Sequence, residues 1–210
     1  MREMEFKWRA GSYDDFKRLA NTARRFGASL GHESRLRNRD YYLDTLARDL
    51  RRAAAAARIR NSGSLWEFTF KTASPLRDGL ASREEITATL AGAATFSSAL
   101  KLLHSGAARC AELPVPAGEL EQVFTIDTRR RQRIMDIPGG TRASAVYDDS
   151  QITAGGLSGS LREMELEFLS GDAQGFMNFA RKLAATAGFS AVTASKVATA
   201  LDMEAGKYGA

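Results

Sequence analysis

Cysteine is nearly absent: Cys110 stands alone among 210 residues, so no intramolecular disulfide and no cysteine-built zinc site can form. That usage fits a reducing compartment, and Cys110 has no histidine motif beside it to make it a nucleophile. Histidine is scarce as well, and His32 and His104 lack ligand-spaced partners; packing or surface roles are expected for both. No apolar run approaches the roughly 20 residues of a membrane span. The start, MREMEFKW, is charged throughout and lacks the apolar stretch of a signal peptide. A cytoplasmic protein with no membrane partner is therefore expected. Tandem repeats of fixed period are missing, and so is the regular strand–helix alternation of a Rossmann fold. Gly139-Gly140 and Gly155-Gly156 read as turns, since neither forms a phosphate-cradling glycine motif leading into a helix.

What the chain does have is charge. Thirty Lys+Arg against 25 Asp+Glu give a net +5, which points to an anionic partner without choosing among nucleic acid, membrane surface and phosphate ligand. With 44% hydrophobic residues a sizeable core is available, and the length suits one domain over 1–210. Helical spacing predicts helices at 12–26, with Ser12 as N-cap and Asp14 and Asp15 in its first turn, and at 95–104, 172–187 and 194–204. Roughly eight strands are predicted, in EMEFKW, RDYYLDT, ARIRNSGSLWEFTFK with its NSGS turn, REEITATL, QVFTIDTRRRQRIMDI, TRASAVYDD and LREMELEFL. ELPVPAGEL reads as a linker. The alanines Ala53 to Ala57 favour helix or simple compaction over chemistry.

The strands sort their side chains. Successive residues of a strand point to opposite faces, so Glu3, Glu5 and Lys7 share one face and Met4, Phe6 and Trp8 the other. Glu163, Glu165 and Glu167 repeat the pattern in EMELEF, a near copy of EMEFKW about 160 residues away. Arg58 and Arg60 flank Ile59; Glu67 and Lys71 oppose Phe68 and Phe70; Arg83 and Glu85 share a face. A polar face turned to water explains any one strand. It does not explain three glutamates on one strand, which repel unless cations compensate. Hard divalent cations such as Mg²⁺ or Mn²⁺ take carboxylate oxygens and share phosphate oxygens with a substrate. Arginine forks grip phosphate bidentately and stay charged when enclosed. Glu3, Glu5, Glu163 and Glu165 could therefore hold metal, and Arg58, Arg60, Arg83 and Arg130 with Lys7 and Lys71 could hold polyphosphate. The expected fold is α+β: an eight-stranded antiparallel closed β-barrel, charged inside, with all helices packed on the outside.

These segments resemble a known family. EMEFK at 3–7 is similar to the ExExK signature of the CYTH superfamily, also called triphosphate tunnel metalloenzymes. DYYLDT at 40–45 resembles its YxDT segment, ARIR at 57–60 its LRIR strand, and WEFTFK at 66–71 its strand ending in lysine. SREE, TIDTRRRQ, YDD, EMELEFLSGD and ASK follow in the family's order. The resemblance is nearest to the bacterial inorganic triphosphatase branch. It implies a tunnel that binds triphosphate and a divalent cation, with Glu3, Glu5, Glu163, Glu165 and Asp148 as metal ligands and Asp149 as a rival to Asp148. It implies phosphate contacts from Lys7, Arg58, Arg60, Lys71, Arg83, Arg130 and Lys196; Arg129, Arg131 and Arg133 compete with Arg130 for the inward register. Tyr42 and Lys71 match a pair that orients or activates water. Glu67, Glu85 and Glu167 share the charged faces as further candidates. Ala57 departs from the family's leucine, a packing change. Many relatives of that branch carry a histidine-rich second domain after the tunnel; it is expected to be absent here or to have been removed.

The activity so implied is metal-dependent hydrolysis of inorganic triphosphate to diphosphate and phosphate, with Mg²⁺ or Mn²⁺ as cofactor. Alternatives on the same fold are thiamine triphosphatase, nucleoside triphosphatase and class IV adenylate cyclase. An alternative of another class is a non-catalytic polyphosphate- or RNA-binding module, which the RRRQR run would suit. The four glutamates disfavour nucleic acid as partner; a small triphosphate is expected, and a homodimer is compatible with the chain.

Overall fold

The computed structural model describes residues 2–72, 80–106 and 113–206, with backbone alone for 2, 3 and 81–84. Cys110 and the first residues of the segment before Leu113 lie outside the described residues. Among the described residues no helix is long and apolar enough to cross a membrane.

The chain forms β1 (Arg2–Arg9), α1 (Tyr13–Arg25), β2 (Ser29–Leu30), β3 (Ser34–Asp44), α2 (Asp49–Arg52), β4 (Ala55–Ser62), β5 (Leu65–Thr72) and β6 (Leu80–Thr89). After α3 (Phe96–His104) come β7 (Glu121–Ile137), β8 (Thr141–Ala154), β9 (Leu157–Ser170), α4 (Ala173–Ala187) and α5 (Lys196–Glu204). All strand pairs are antiparallel, in the order β2-β7-β3-β4-β5-β6-β1-β9-β8, and β8 pairs again with β7. The eight long strands match the expected number and sense. The closed barrel is corrected in one respect, because the wall is uneven. The β7–β8 register runs from Phe124↔Ala154 to Ile137↔Thr141, whereas β4–β5 pairing runs only from Ala55↔Thr72 to Ser62↔Leu65. Strands of such unequal length curl into a half-barrel with one tall side, not a sealed cylinder.

The alternation read from the sequence sets the two faces. On the convex face Phe6, Trp8, Met164 and Leu166 pack under α1 and α4 through Phe16, Leu19, Phe176 and Leu183. Ile59, Trp66, Phe68 and Phe70 pack under α3 through Ala99 and Leu103. Capping boxes at Ser12 and Thr95 start α1 and α3, and the Asp172 side chain caps α4.

Two expectations fail. The run at 53–57 is largely strand: Ala55 to Ala57 open β4 opposite Thr72, Lys71 and Phe70. Sheet pairing outweighs the few tenths of a kcal/mol by which alanine favours helix. The helix closing the chain, α5, lies inside the curl and not outside. Val197, Ala200, Leu201 and Met203 pack on Tyr42, Phe124, Ile126 and Ile152, which belong to the concave face. An apolar stripe on a helix does not say which side of a sheet it will cover.

The far end of α5 is held by an Arg48–Glu204 ion pair and by close packing of the β8–β9 turn. Gly155 has φ +57°, and a Cβ there would lie 2.9 Å from Glu204 Cα. Gly155→Ala is expected to lower unfolding free energy by about 1–3 kcal/mol through this clash and backbone strain. Urea titration checks it; an unchanged midpoint would contradict the docking of α5.

Candidate active site

Cross-strand registers carry the charged positions onto one concave surface. Tyr42 faces Arg58 and Asp40 faces Arg60 across β3–β4; Arg58 faces Thr69 and Ala56 faces Lys71 across β4–β5; Lys71 faces Glu85 across β5–β6. On the other side Arg130 faces Asp148, Asp148 faces Glu163, and Lys7 faces Glu165. The two near-copy segments thus lie side by side, antiparallel, with Lys7 of one against Glu165 of the other.

These residues enclose a cavity of about 500 Å³. Glu5, Lys7, Tyr42, Arg58, Arg60 and Lys71 line it, as do Glu85, Arg130, Glu163, Glu165, Glu167 and Lys196. Of the other predicted residues, Glu67 faces Arg60 in the register but does not line the cavity. Asp148 is fully buried on the inner face, beneath the cavity-lining Arg130 and Lys196, and does not itself line the cavity. The side chains of Glu3 and Arg83 lie outside the described residues, although the strand register sets their backbones opposite each other.

The acidic side is compact. Carboxylate oxygens of Asp148, Glu163 and Glu165 lie within 4.8 Å of one another. Arg130 donates twice to Asp148, at 2.8 and 2.7 Å, and once to Glu165 at 3.0 Å. Lys7 hydrogen-bonds Glu165 and pairs with Glu5 at 3.0 Å, while Lys196, brought in by the first residue of α5, hydrogen-bonds Asp148. Lys196 also approaches Glu163 at 2.9 Å. That approach has an ion pair's proximity without a hydrogen bond's direction, so both Glu163 oxygens are buried with no donor.

Electrostatics split the acids. Burial raises every carboxyl in such a place, and for Glu163 it prevails, with the Glu165 charge adding to it against Lys196 and Lys7. For Asp148, burial is overcome by Lys196 and Arg130, and for Glu165 by Lys7, Lys196 and Arg130, leaving both below the usual carboxylate range. Burial likewise opposes the charge on Lys7, yet Glu165, Glu5 and Glu163 hold its pKa well above normal. A hard divalent cation fits this trio: the donors are all carboxylate oxygens, and both Glu163 oxygens are buried without a hydrogen-bond donor. Glu5, tied to Lys7, is on the same wall but outside the trio.

The opposite side is basic. The Arg58 pKa is raised: burial opposes this, but Asp40 and the hydroxyl of Tyr42 prevail. Its Nε is buried without an acceptor. Lys71 pairs with Glu85 at 2.7 Å. Asp40, absent from the sequence expectations, anchors this side by taking two bonds from Arg60 at 2.6 and 2.8 Å. Its signal was present, since it shares the face of Tyr42 two residues on. Asp44 in the same segment has a local task, accepting the backbone N–H groups of Thr45, Leu50 and Arg51 to shape α2.

The open registers resolve. Arg130 points inward, whereas Arg129 stands opposite Asp149 in the register and lies on the convex side with Arg131 and Arg133. Asp148 is inside; Asp149 is outside, bonded to Arg162 at 3.1 Å.

The CYTH domain model matches residues 1–200. The chain belongs to the CYTH family. The family is metal-dependent and its members include triphosphatases. Among solved structures, the chain is similar to a putative adenylyl cyclase from Hippeastrum, reported to have a dominant triphosphatase activity. They are 18% identical with a TM-score of 0.60, over 98% of this chain and 96% of that one. It is also similar to a putative adenylate cyclase from Bacillus halodurans (21% identity, TM-score 0.55, 93% and 95% covered). A Pyrococcus horikoshii protein gives 16% identity and a TM-score of 0.58 over 96% and 99% of the chains. At these identities the likeness is one of fold.

Asp40 supplies a pH prediction. Burial would raise its pKa, but Arg58 and Arg60 hold it below normal. Its stabilisation is therefore present above the unfolded value of about 3.9 and is lost as pH falls through the lower folded value. Asp40→Asn is expected to cost about 3 kcal/mol at neutral pH and to flatten the acid limb of stability. Equal acid limbs in denaturant titrations would contradict the pairing.

Proposed function

We propose that this CYTH chain hydrolyses inorganic triphosphate to diphosphate and phosphate with a divalent cation. The observation that carries the reading is one cavity with a carboxylate trio on one side and fixed cations on the other. Asp148, Glu163 and Glu165 would hold Mg²⁺ or Mn²⁺, which supplies Lewis acidity and neutralises phosphate charge. Glu5 extends this acidic wall along β1.

The chain's own cations do the rest of the binding. Lys7, Arg130 and Lys196, which balance the trio in the free protein, exchange carboxylate oxygens for phosphate oxygens as substrate enters. Arg58 offers its unused Nε–H, and Arg60 adds charge from the same side. Tyr42 Oη, held beside Arg58, accepts a hydrogen bond from water and aims it at the terminal phosphorus with help from Lys71. A P–O bond forms to that water as the bridging P–O bond breaks. The electron pair leaves on diphosphate; of the water's two protons, one stays on the released phosphate and the other goes to the leaving diphosphate oxygen or to solvent. Most of the acceleration is electrostatic, from groups fixed before substrate arrives.

The inorganic substrate is favoured over thiamine or nucleoside triphosphates by the lining. Its aromatic residue, Tyr42, is stacked on Phe124 with centroids 4.6 Å apart. Trp8 and Trp66 are buried in the convex-side clusters. No open ring awaits a base or thiazole among the described lining residues. Glu163, buried without a hydrogen-bond donor, also argues against a non-catalytic phosphate-binding module, which would gain nothing from it.

Phosphate release from triphosphate, thiamine triphosphate, ATP and diphosphate, each with Mg²⁺ and with Mn²⁺, is expected to be selective for triphosphate and to vanish with chelator. Preference for an organic triphosphate would overturn the substrate. Glu163→Gln is expected to lower turnover at least about 100-fold, as for one strong electrostatic contact; near-normal turnover at saturating metal would sink the assignment.

A further inference from the structure

The convex face of β3 and β7 has no part in the cavity, yet it carries six arginines on two adjacent strands. Arg35, Arg37 and Arg39 alternate along β3, and Arg129, Arg131 and Arg133 along β7. The register sets Arg35 opposite Arg131 and Arg37 opposite Arg129. Like charges directly opposed on a sheet destabilise it, and here two such pairs follow one another.

Few acids answer them. Glu33 serves Arg131 at 3.2 Å, Arg35 at 3.6 Å and Arg133 at 3.7 Å, and Asp127 serves Arg39 at 3.0 Å. Asp149, beside Arg129, is bonded to Arg162. Arg37 and Arg129 are exposed and have no ion-pair partner among the described residues. Alternate strand positions lie about 7 Å apart, so the forks form a regular file. It continues into a second cavity of about 170 Å³ against α1, where Lys17, Arg24 and Arg133 contribute to a lining that contains no carboxylate.

We propose that this file is a binding surface for long-chain inorganic polyphosphate, separate from the catalytic cavity. A repeating anion satisfies a row of six arginines that Glu33 and Asp127 answer only in part, with Arg37 and Arg129 left without an ion-pair partner among the described residues. Single-stranded RNA offers phosphates too, but its sequence-tolerant binders use open aromatic rings for base stacking. The rings on this face are covered: Tyr13 lies under Arg131 at 4.0 Å, and Tyr41 is stacked on Phe96 at 4.2 Å.

Arg129 and Arg130 make the test clean, because neighbours on one strand point to opposite faces. Binding of long-chain polyphosphate and of oligouridylate is measured across salt concentrations for wild type, Arg37→Ser/Arg129→Ser and Arg130→Lys, with triphosphate hydrolysis and melting temperature measured alongside. The double variant is expected to bind polyphosphate at least about tenfold more weakly and to lose about two units of log–log salt slope. Its hydrolysis should be unchanged and its melting temperature unchanged or higher. Arg130→Lys should lose hydrolysis and keep polymer binding; should it fail to fold, the double variant decides alone. Undiminished binding by the double variant, no polyphosphate binding by wild type, or tighter binding of oligouridylate would each overturn the proposal. Because hydrolysis is read separately, failure here leaves the reading of the cavity standing.

Discussion

Everything in this molecule is arranged around three carboxylates taken out of water. Asp148, Glu163 and Glu165 are buried, with the carboxylate atoms crowded together, and burying uncompensated charge costs several kcal/mol per ion. Three cations offset it from three different elements: Lys7 from β1, Arg130 from β7 and Lys196 from α5. The compensation is incomplete, since Glu163 has no donor. Incomplete compensation is costly for a resting core and useful for a site, because the deficit is recovered when a cation enters. The same balance ties fold to chemistry: β1 must lie against β9, β8 between β7 and β9, and α5 must thread inside the curl to deliver its lysine.

The opposite wall follows another rule. There the cations are in excess and Asp40 is the fixed counter-charge that keeps Arg58 and Arg60 in place. A cavity with a surplus of acid on one wall and of base on the other suits a metal–polyanion pair better than either ion alone. Unequal strand lengths leave that cavity reachable from solvent.

Much of this was legible because a strand has a period of two. Once Glu5 and Lys7, Arg58 and Arg60, and Glu163 and Glu165 alternate with large apolar residues, their common face follows from geometry, and a helix cap such as Ser12 is visible as a letter. What stayed hidden had no periodic signal. Two consecutive aspartates, Asp148 and Asp149, fit either register, as did the arginines from 129 to 133; only the partner strand decides. Asp40 was readable beside Tyr42 but is overlooked when attention rests on the stronger pattern of paired arginines. The stripe on α5 was recognised as apolar, but its location on the concave face depends on Phe124, Ile126 and Ile152, which read as ordinary strand hydrophobes. The alanines before Arg58 show the reverse case, a local preference overruled by pairing with β5.

The central claim is that the trio is a metal centre. Anomalous scattering from crystals grown with Mn²⁺ tests it most directly. The account predicts a peak bounded by oxygens of Asp148, Glu163 and Glu165, with the Lys196 ammonium withdrawn from Asp148. A trio without a peak, its lysine and arginine pairs intact at saturating Mn²⁺, would contradict it.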